Sequence, residues 1–85
     1  MENKVLIKLI LPELDKNFDV FIPVNEVVWK IKKMLIKSVS DICDATLSSK
    51  DYLLINKCTG LVYNNNDVII NTDIRNGAEI ILISS

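Results

Sequence analysis

Residues 5–11 read Val-Leu-Ile-Lys-Leu-Ile-Leu, an aliphatic and β-branched run broken by one lysine and ended by Pro12. The pattern predicts a strand. Pro12 to Asn17 is polar enough for a turn, and Phe18-Asp19-Val20-Phe21-Ile22 alternates as a second strand, closed by Pro23. The two runs form a β-hairpin. Alternation assigns Val5, Ile7 and Leu9, with Phe18, Val20 and Ile22, to the core. It sends Leu6, Lys8 and Ile10, with Asp19 and Phe21, outward.

From Glu26 the period changes from two to 3.6, the period of an α-helix. Val28, Ile31, Leu35, Val39 and Ile42 fall on one narrow arc, and Glu26, Lys30, Lys33 and Lys37 on the opposite one. Asn25 is placed as the N-cap, with Val24 and Trp29 at the spacing of a hydrophobic staple. After the polar Ser48-Ser49-Lys50 stretch, Tyr52 to Ile55 predicts a third strand, and Leu61-Val62-Tyr63 a short fourth beyond the Thr59-Gly60 turn. Val68-Ile69-Ile70 is either a strand or an irregular apolar plug for the core. Asn76-Gly77 marks a turn because both residues tolerate positive φ, and Glu79 to Ile83 forms the last strand. In that strand Ile80 and Leu82 point inward, and Ile81 and Ile83 outward.

Composition narrows the chemistry. The 85 residues suit a single domain over 1–85, and the net charge of −1 argues against a nucleic-acid binder. There is no histidine, which removes the commonest general base and every imidazole metal site. Cys43 and Cys58 are too few for an iron–sulfur cluster or an all-thiolate zinc site. Cys43 reads as a small buried hydrophobe, Cys58 and Thr59 as turn residues, and Asp41 with Asp44 makes no metal site unaided. Gly60 and Gly77 stand too far apart for a phosphate-binding loop. No secretory signal is evident and no apolar run nears the roughly 20 residues of a membrane span. The expectation is a cytoplasmic protein with reduced thiols, no enzyme, no cofactor and no metal.

Hairpin, helix and three further β segments follow one another in the order of the ubiquitin-like β-grasp, an α+β fold. Its mixed four- to five-stranded sheet carries one helix on one face. Three stretches resemble that superfamily: Pro23-Val24-Asn25-Glu26 before the helix, the Lys57-Cys58-Thr59-Gly60 turn, and Asp73 to Ile80 before the last strand. Within it the chain is most similar to the small YukD/EsaB proteins of Firmicute type VII (WXG100) secretion loci. The resemblance implies a bacterial accessory or regulatory component acting through protein contacts. Its partner would be the cytosolic part of a membrane ATPase, another subunit, or a second copy of the chain. Ubiquitin-type modifiers and sulfur carriers end in an exposed diglycine, whereas this sequence ends Ile83-Ser84-Ser85, so a non-conjugating role is expected. A free-standing adaptor of the same fold and a degenerate sulfur-carrier relative remain open.

Two surfaces carry candidate chemistry. Leu6, Phe21, Ile81 and Ile83, with Leu54 or Leu53 beside them, would form one apolar patch on the bare side of the sheet, of a size that usually marks a contact surface. The second is the outer helix face, with Trp29, Lys30, Lys33 and Lys37. Residues 30–37 hold four lysines and no acid, so the rest of the chain carries −5, a segregation that can steer a partner. Trp29 and Ile36 flank the core stripe as edge packing or as a ridge toward a partner. Acidic lipid is a weaker candidate for this face, since four lysines without lipidation hold a bilayer only marginally.

Overall fold

The computed structural model describes residues 3–43 and 52–84. Strand β1 (Lys4–Leu11) buries Val5, Ile7, Leu9 and Leu11 and exposes Lys4, Leu6 and Lys8, the alternation its sequence encodes. Pro12 has no N–H to give the ladder and opens a 3₁₀ turn over Pro12–Leu14. Asp15 closes that turn at φ 52°, donating its N–H to the Pro12 carbonyl. Strand β2 (Lys16–Pro23) then returns antiparallel to β1, from Leu11 opposite Lys16 to Lys4 opposite Pro23.

Helix α1 (Val28–Cys43) packs Val28, Ile31, Leu35 and Val39 into the core, four of the five residues of the expected stripe. Its start differs from the sequence expectation. Asn25 lies in a turn and caps nothing; Trp29 sits in the first helical turn, exposed, so no staple forms with buried Val24. The first N–H groups of any α-helix lack partners within it. Here they find carbonyls in the 64–67 loop instead: Val28 donates to Asp67 at 2.9 Å and Trp29 to Asn65 at 3.2 Å. The side chains of Ile42 and Cys43, together with Asp44 and the Ser48–Lys50 stretch, lie outside the described residues.

Strands β3 (Tyr52–Asn56) and β4 (Glu79–Ser84) complete a sheet in the order β2-β1-β4-β3. The β1–β4 pair is parallel, with Lys8 opposite Glu79 and Ile10 opposite Ile81; β3 is antiparallel to β4. The expected short strand over Leu61–Tyr63 shrinks to one bridge between Val62 and Ile55. Val68-Ile69-Ile70 resolves toward the plug: Val68 bridges Val27, and a 3₁₀ turn over Ile69–Asn71 drives fully buried Ile69 into the core. Ile74 joins it. Each such side chain contributes roughly 1.5–3 kcal/mol of burial.

Two devices fix the entry to β4. Gly77 adopts φ +88° and donates its N–H to the Leu6 carbonyl, while the Asn76 side chain accepts from Leu6 N–H at 2.8 Å. Across the molecule, the Tyr63 hydroxyl donates to Asp73 at 2.5 Å and accepts from the Asn56 amide at 3.1 Å, tying β3 to both ends of the 61–74 loop. The Asn56 oxygen also accepts from the N–H groups of Cys58 and Thr59, which shapes the turn after β3. Burial, then the bond to the Asp73 carboxylate, pushes the Tyr63 phenol from 10.0 up to about 12.

Gly77→Ala is expected to lose about 1–2 kcal/mol in urea denaturation from φ strain alone, because the added Cβ would meet nothing within 4 Å. Tyr63→Phe is expected to cost about 1–2 kcal/mol at pH 7. The folded state holds the Tyr63 proton more tightly than the unfolded chain. Stability is therefore full below pH 10.0 and falls as pH rises toward about 12. From this group alone the slope reaches about 1.4 kcal/mol per pH unit. Tyr63→Phe should flatten that part of the profile; an identical alkaline profile in both proteins refutes the assignment.

Candidate functional site

The helix covers one side of the sheet, and residues alternating away from it define the other. Registry arranges these outward residues in rows across the strands, because side chains opposite one another on neighbouring strands share a face. One row runs Ile10–Ile81–Ile55–Val62, through the pairs Ile10 with Ile81, Ile81 with Ile55, and Ile55 with Val62. At about 4.8 Å between strands, it spans about 14 Å. Ile83 and Leu53, paired across β4 and β3, lie two residues farther along the strands. The isoleucines and Leu53 are half-buried, while Val62 is 45% exposed.

A second row is charged. Lys8 stands opposite Asp19 on one side and Glu79 on the other, and Glu79 is 3.8 Å from Lys57. Beyond it lies the cross-strand pair of Leu6 and Phe21, the latter 62% exposed. Leu6 and Ile10 are four residues apart on one strand, about 13 Å. The single patch expected from alternation is therefore two apolar areas with ions between them.

Leu54 needs a larger correction. It is fully buried and pairs with Leu82 on the helix side, so it cannot contact a partner across the sheet. One residue of register decides this: its neighbours Leu53 and Ile55 take the outward positions. Ile55 was legible from that alternation once Leu54 points inward. Val62 was not, since only its bridge to Ile55 brings it to the face.

On the helix, Lys30, Lys33 and Lys37 are exposed, as expected. Lys32 departs from the four-lysine group: it is buried to 9% exposure, and its ammonium donates to the Asn65 side chain at 2.5 Å. At 100° per residue it projects beside Val28 and Val39. Trp29 is 42% exposed, with the ammonium groups of Lys30 and Lys33 each 5.7 Å from its ring centre. Lys30 also pairs with Glu26 at 3.8 Å. Of the two alternatives for Trp29 and Ile36, Ile36 follows edge packing, partly buried against the core, while Trp29 stays exposed. At the far end of the hairpin, Ser84 donates through its hydroxyl and its N–H to Glu13, holding that carboxyl below its ordinary range.

Cys58 is exposed with a free thiol. Among the described residues no helix is long and apolar enough to cross a membrane.

No protein-family model matches the chain, and no curated protein matches it. Solved structures do. The ubiquitin-like domain of Plasmodium falciparum Dsk2 is similar at TM-score 0.72 and 16% identity, covering 96% of this chain and 99% of that one. The ubiquitin-like domain of Arabidopsis thaliana protein At2g32350 gives TM-score 0.70 and 18% identity over 98% of this chain and 80% of that one. A chain of the ESX-5 inner membrane complex gives TM-score 0.70 and 14% identity, with 98% of this chain matching only 22% of that longer one. Identities this low establish shape: the chain has the ubiquitin-like β-grasp fold, an α+β architecture with one helix packed on a mixed four-stranded sheet.

Proposed function

We propose that the protein is a non-enzymatic, non-conjugating ubiquitin-fold accessory of a bacterial type VII (WXG100) secretion system, working in the cytoplasm by presenting its open sheet face to another component. The observation that carries this reading is the outward row Ile10–Ile81–Ile55–Val62, half-buried at its isoleucines and exposed at Val62, with Ile83 and Leu53 beside it. Branched aliphatic side chains on a surface with a rigid backbone lose little entropy when a partner covers them. The charged row Asp19–Lys8–Glu79–Lys57 borders them and supplies orientation, as a polar rim does around an apolar contact. The Leu6–Phe21 pair beyond that row serves as a second, smaller contact.

The sequence resemblance to the YukD/EsaB group supports the secretion context. The similarity to part of a chain in an inner membrane complex supports an assembly role for a domain of this shape. The cytosolic part of the secretion system's membrane ATPase is the partner this reading favours.

Calorimetric titration of that ATPase fragment with the protein tests it. Val62→Glu, at an exposed position, and Ile81→Ser should each weaken binding by at least about tenfold, about 1.4 kcal/mol. Phe21→Ser should weaken it less. Binding unchanged in both Val62→Glu and Ile81→Ser, with folding verified by circular dichroism, removes this face from the function.

A further inference from the structure

We infer that the outward flank of α1 rests on an anionic membrane surface, with Trp29, Lys30, Lys33 and Lys37 making the contact. Three lysines follow one another over this flank, and Trp29 precedes them in the first helical turn. From Trp29 to Lys37 the flank extends about 12 Å along the axis. Met34, 38% exposed, adds an apolar side chain at the opposite margin from Trp29. Lys33 and Lys37 have no carboxylate within 4.0 Å among the described residues, so their charge is available.

The residue types favour lipid over an acidic protein. A protein carboxylate is held best by the two-pronged guanidinium, and arginine is enriched in protein interfaces while lysine is depleted there. The cations of this flank are lysines alone, one of them, Lys30, paired with Glu26 at 3.8 Å; the chain's single arginine, Arg75, is engaged with the carbonyls of Thr72 and Ile74. Lysine ammonium groups are hydrated point charges on long stems, which suits a diffuse layer of phosphate head groups. Tryptophan is the side chain that settles at the boundary between head groups and hydrocarbon.

A single helix flank is convex, so it meets a flat surface without needing a groove. The net charge of the chain is −1; with Glu26 counted beside the three lysines this flank carries +2 and the remainder −3. A negative membrane repels that remainder, which orients the molecule helix down and leaves the sheet face clear. The attachment is weak and reversible, each lysine strengthening it roughly fivefold.

Trp29 is the only tryptophan in the chain, so its emission reports on this flank alone. The full protein is titrated with phosphatidylcholine vesicles carrying about a third phosphatidylglycerol, at about 50 mM salt where screening is modest. The expected results are a blue shift of emission and co-sedimentation, both lost with pure phosphatidylcholine or at about 0.5 M salt. Lys33→Glu/Lys37→Glu should lower partitioning more than about tenfold, with Lys33→Gln/Lys37→Gln as the milder version should the first misfold. Lys16→Gln, an exposed lysine of β2 away from this flank, should leave it nearly unchanged. No shift and no sedimentation with the anionic vesicles overturns the inference, as does equal binding to neutral ones. So does binding that survives both lysine variants. A shift produced by polyglutamate and not by vesicles makes the occupant an acidic protein segment and likewise overturns the lipid assignment.

Discussion

The parallel pairing of β1 with β4 is the constraint on which the rest of the structure depends. These two strands form the middle of the sheet, and each has a neighbour on its other side. Parallel neighbours cannot be joined by a tight turn; the chain must leave the sheet and come back. That excursion contains the helix, so the pairing that closes the sheet also lays α1 across it. Backbone atoms and one side-chain amide set its register: Gly77 N–H on the Leu6 carbonyl, Lys8 N–H on that of Ala78, and the Asn76 oxygen on Leu6 N–H. A slip of one residue here would exchange Ile80 and Leu82 with Glu79 and Ile81, burying a carboxylate and exposing two fully packed side chains.

The 61–74 loop acts as a second fastening. It has almost no regular structure, yet it satisfies the helix N-terminus through the Asp67 and Asn65 carbonyls and delivers Ile69 to the core. Glu26 and Val24 carbonyls accept in return from Ile69 and Ile70. The Tyr63–Asp73–Asn56 cluster anchors the loop to β3. A helix capped by distant backbone holds its start only while the whole fold is intact, which couples local helicity to global stability.

The fold divides the surface into two chemically different sides. The open sheet face has an apolar row bordered by alternating charge, and the helix flank has lysines around one tryptophan. They face in opposite directions because helix and sheet share a single core between them. One side can be occupied without obstructing the other, so attachment to a charged surface and contact with a protein partner are compatible in one small molecule. Lys32 shows how strictly the division is kept. Lys30 and Lys33 extend into solvent, while the Lys32 ammonium turns back to Asn65.

The sequence by itself determined what depends on neighbours along the chain. The apolar runs of residues 5–11 and 18–22 identified two strands, with Lys8 and Asp19 marking their outward sides, and the spacing of Val28, Ile31, Leu35 and Val39 identified the helix and its buried stripe. Asn76-Gly77 gave away the turn before the last strand, because few residue pairs accept positive φ. Tertiary structure decided whatever depends on register between segments far apart. The helix starts at Val28 because the 64–67 loop supplies its cap, a partner invisible to a local reading that favoured Asn25. Leu54 and Leu53 are chemically alike, and only pairing with β4 sends the first to the core and the second outward. The apolar face exists as a row of Ile10, Ile81, Ile55 and Val62, separated from Leu6 and Phe21, for the same reason. Periodicity reveals which side of a strand is apolar, but the alignment of strands across a sheet is fixed by hydrogen bonds between residues that the linear pattern never places together.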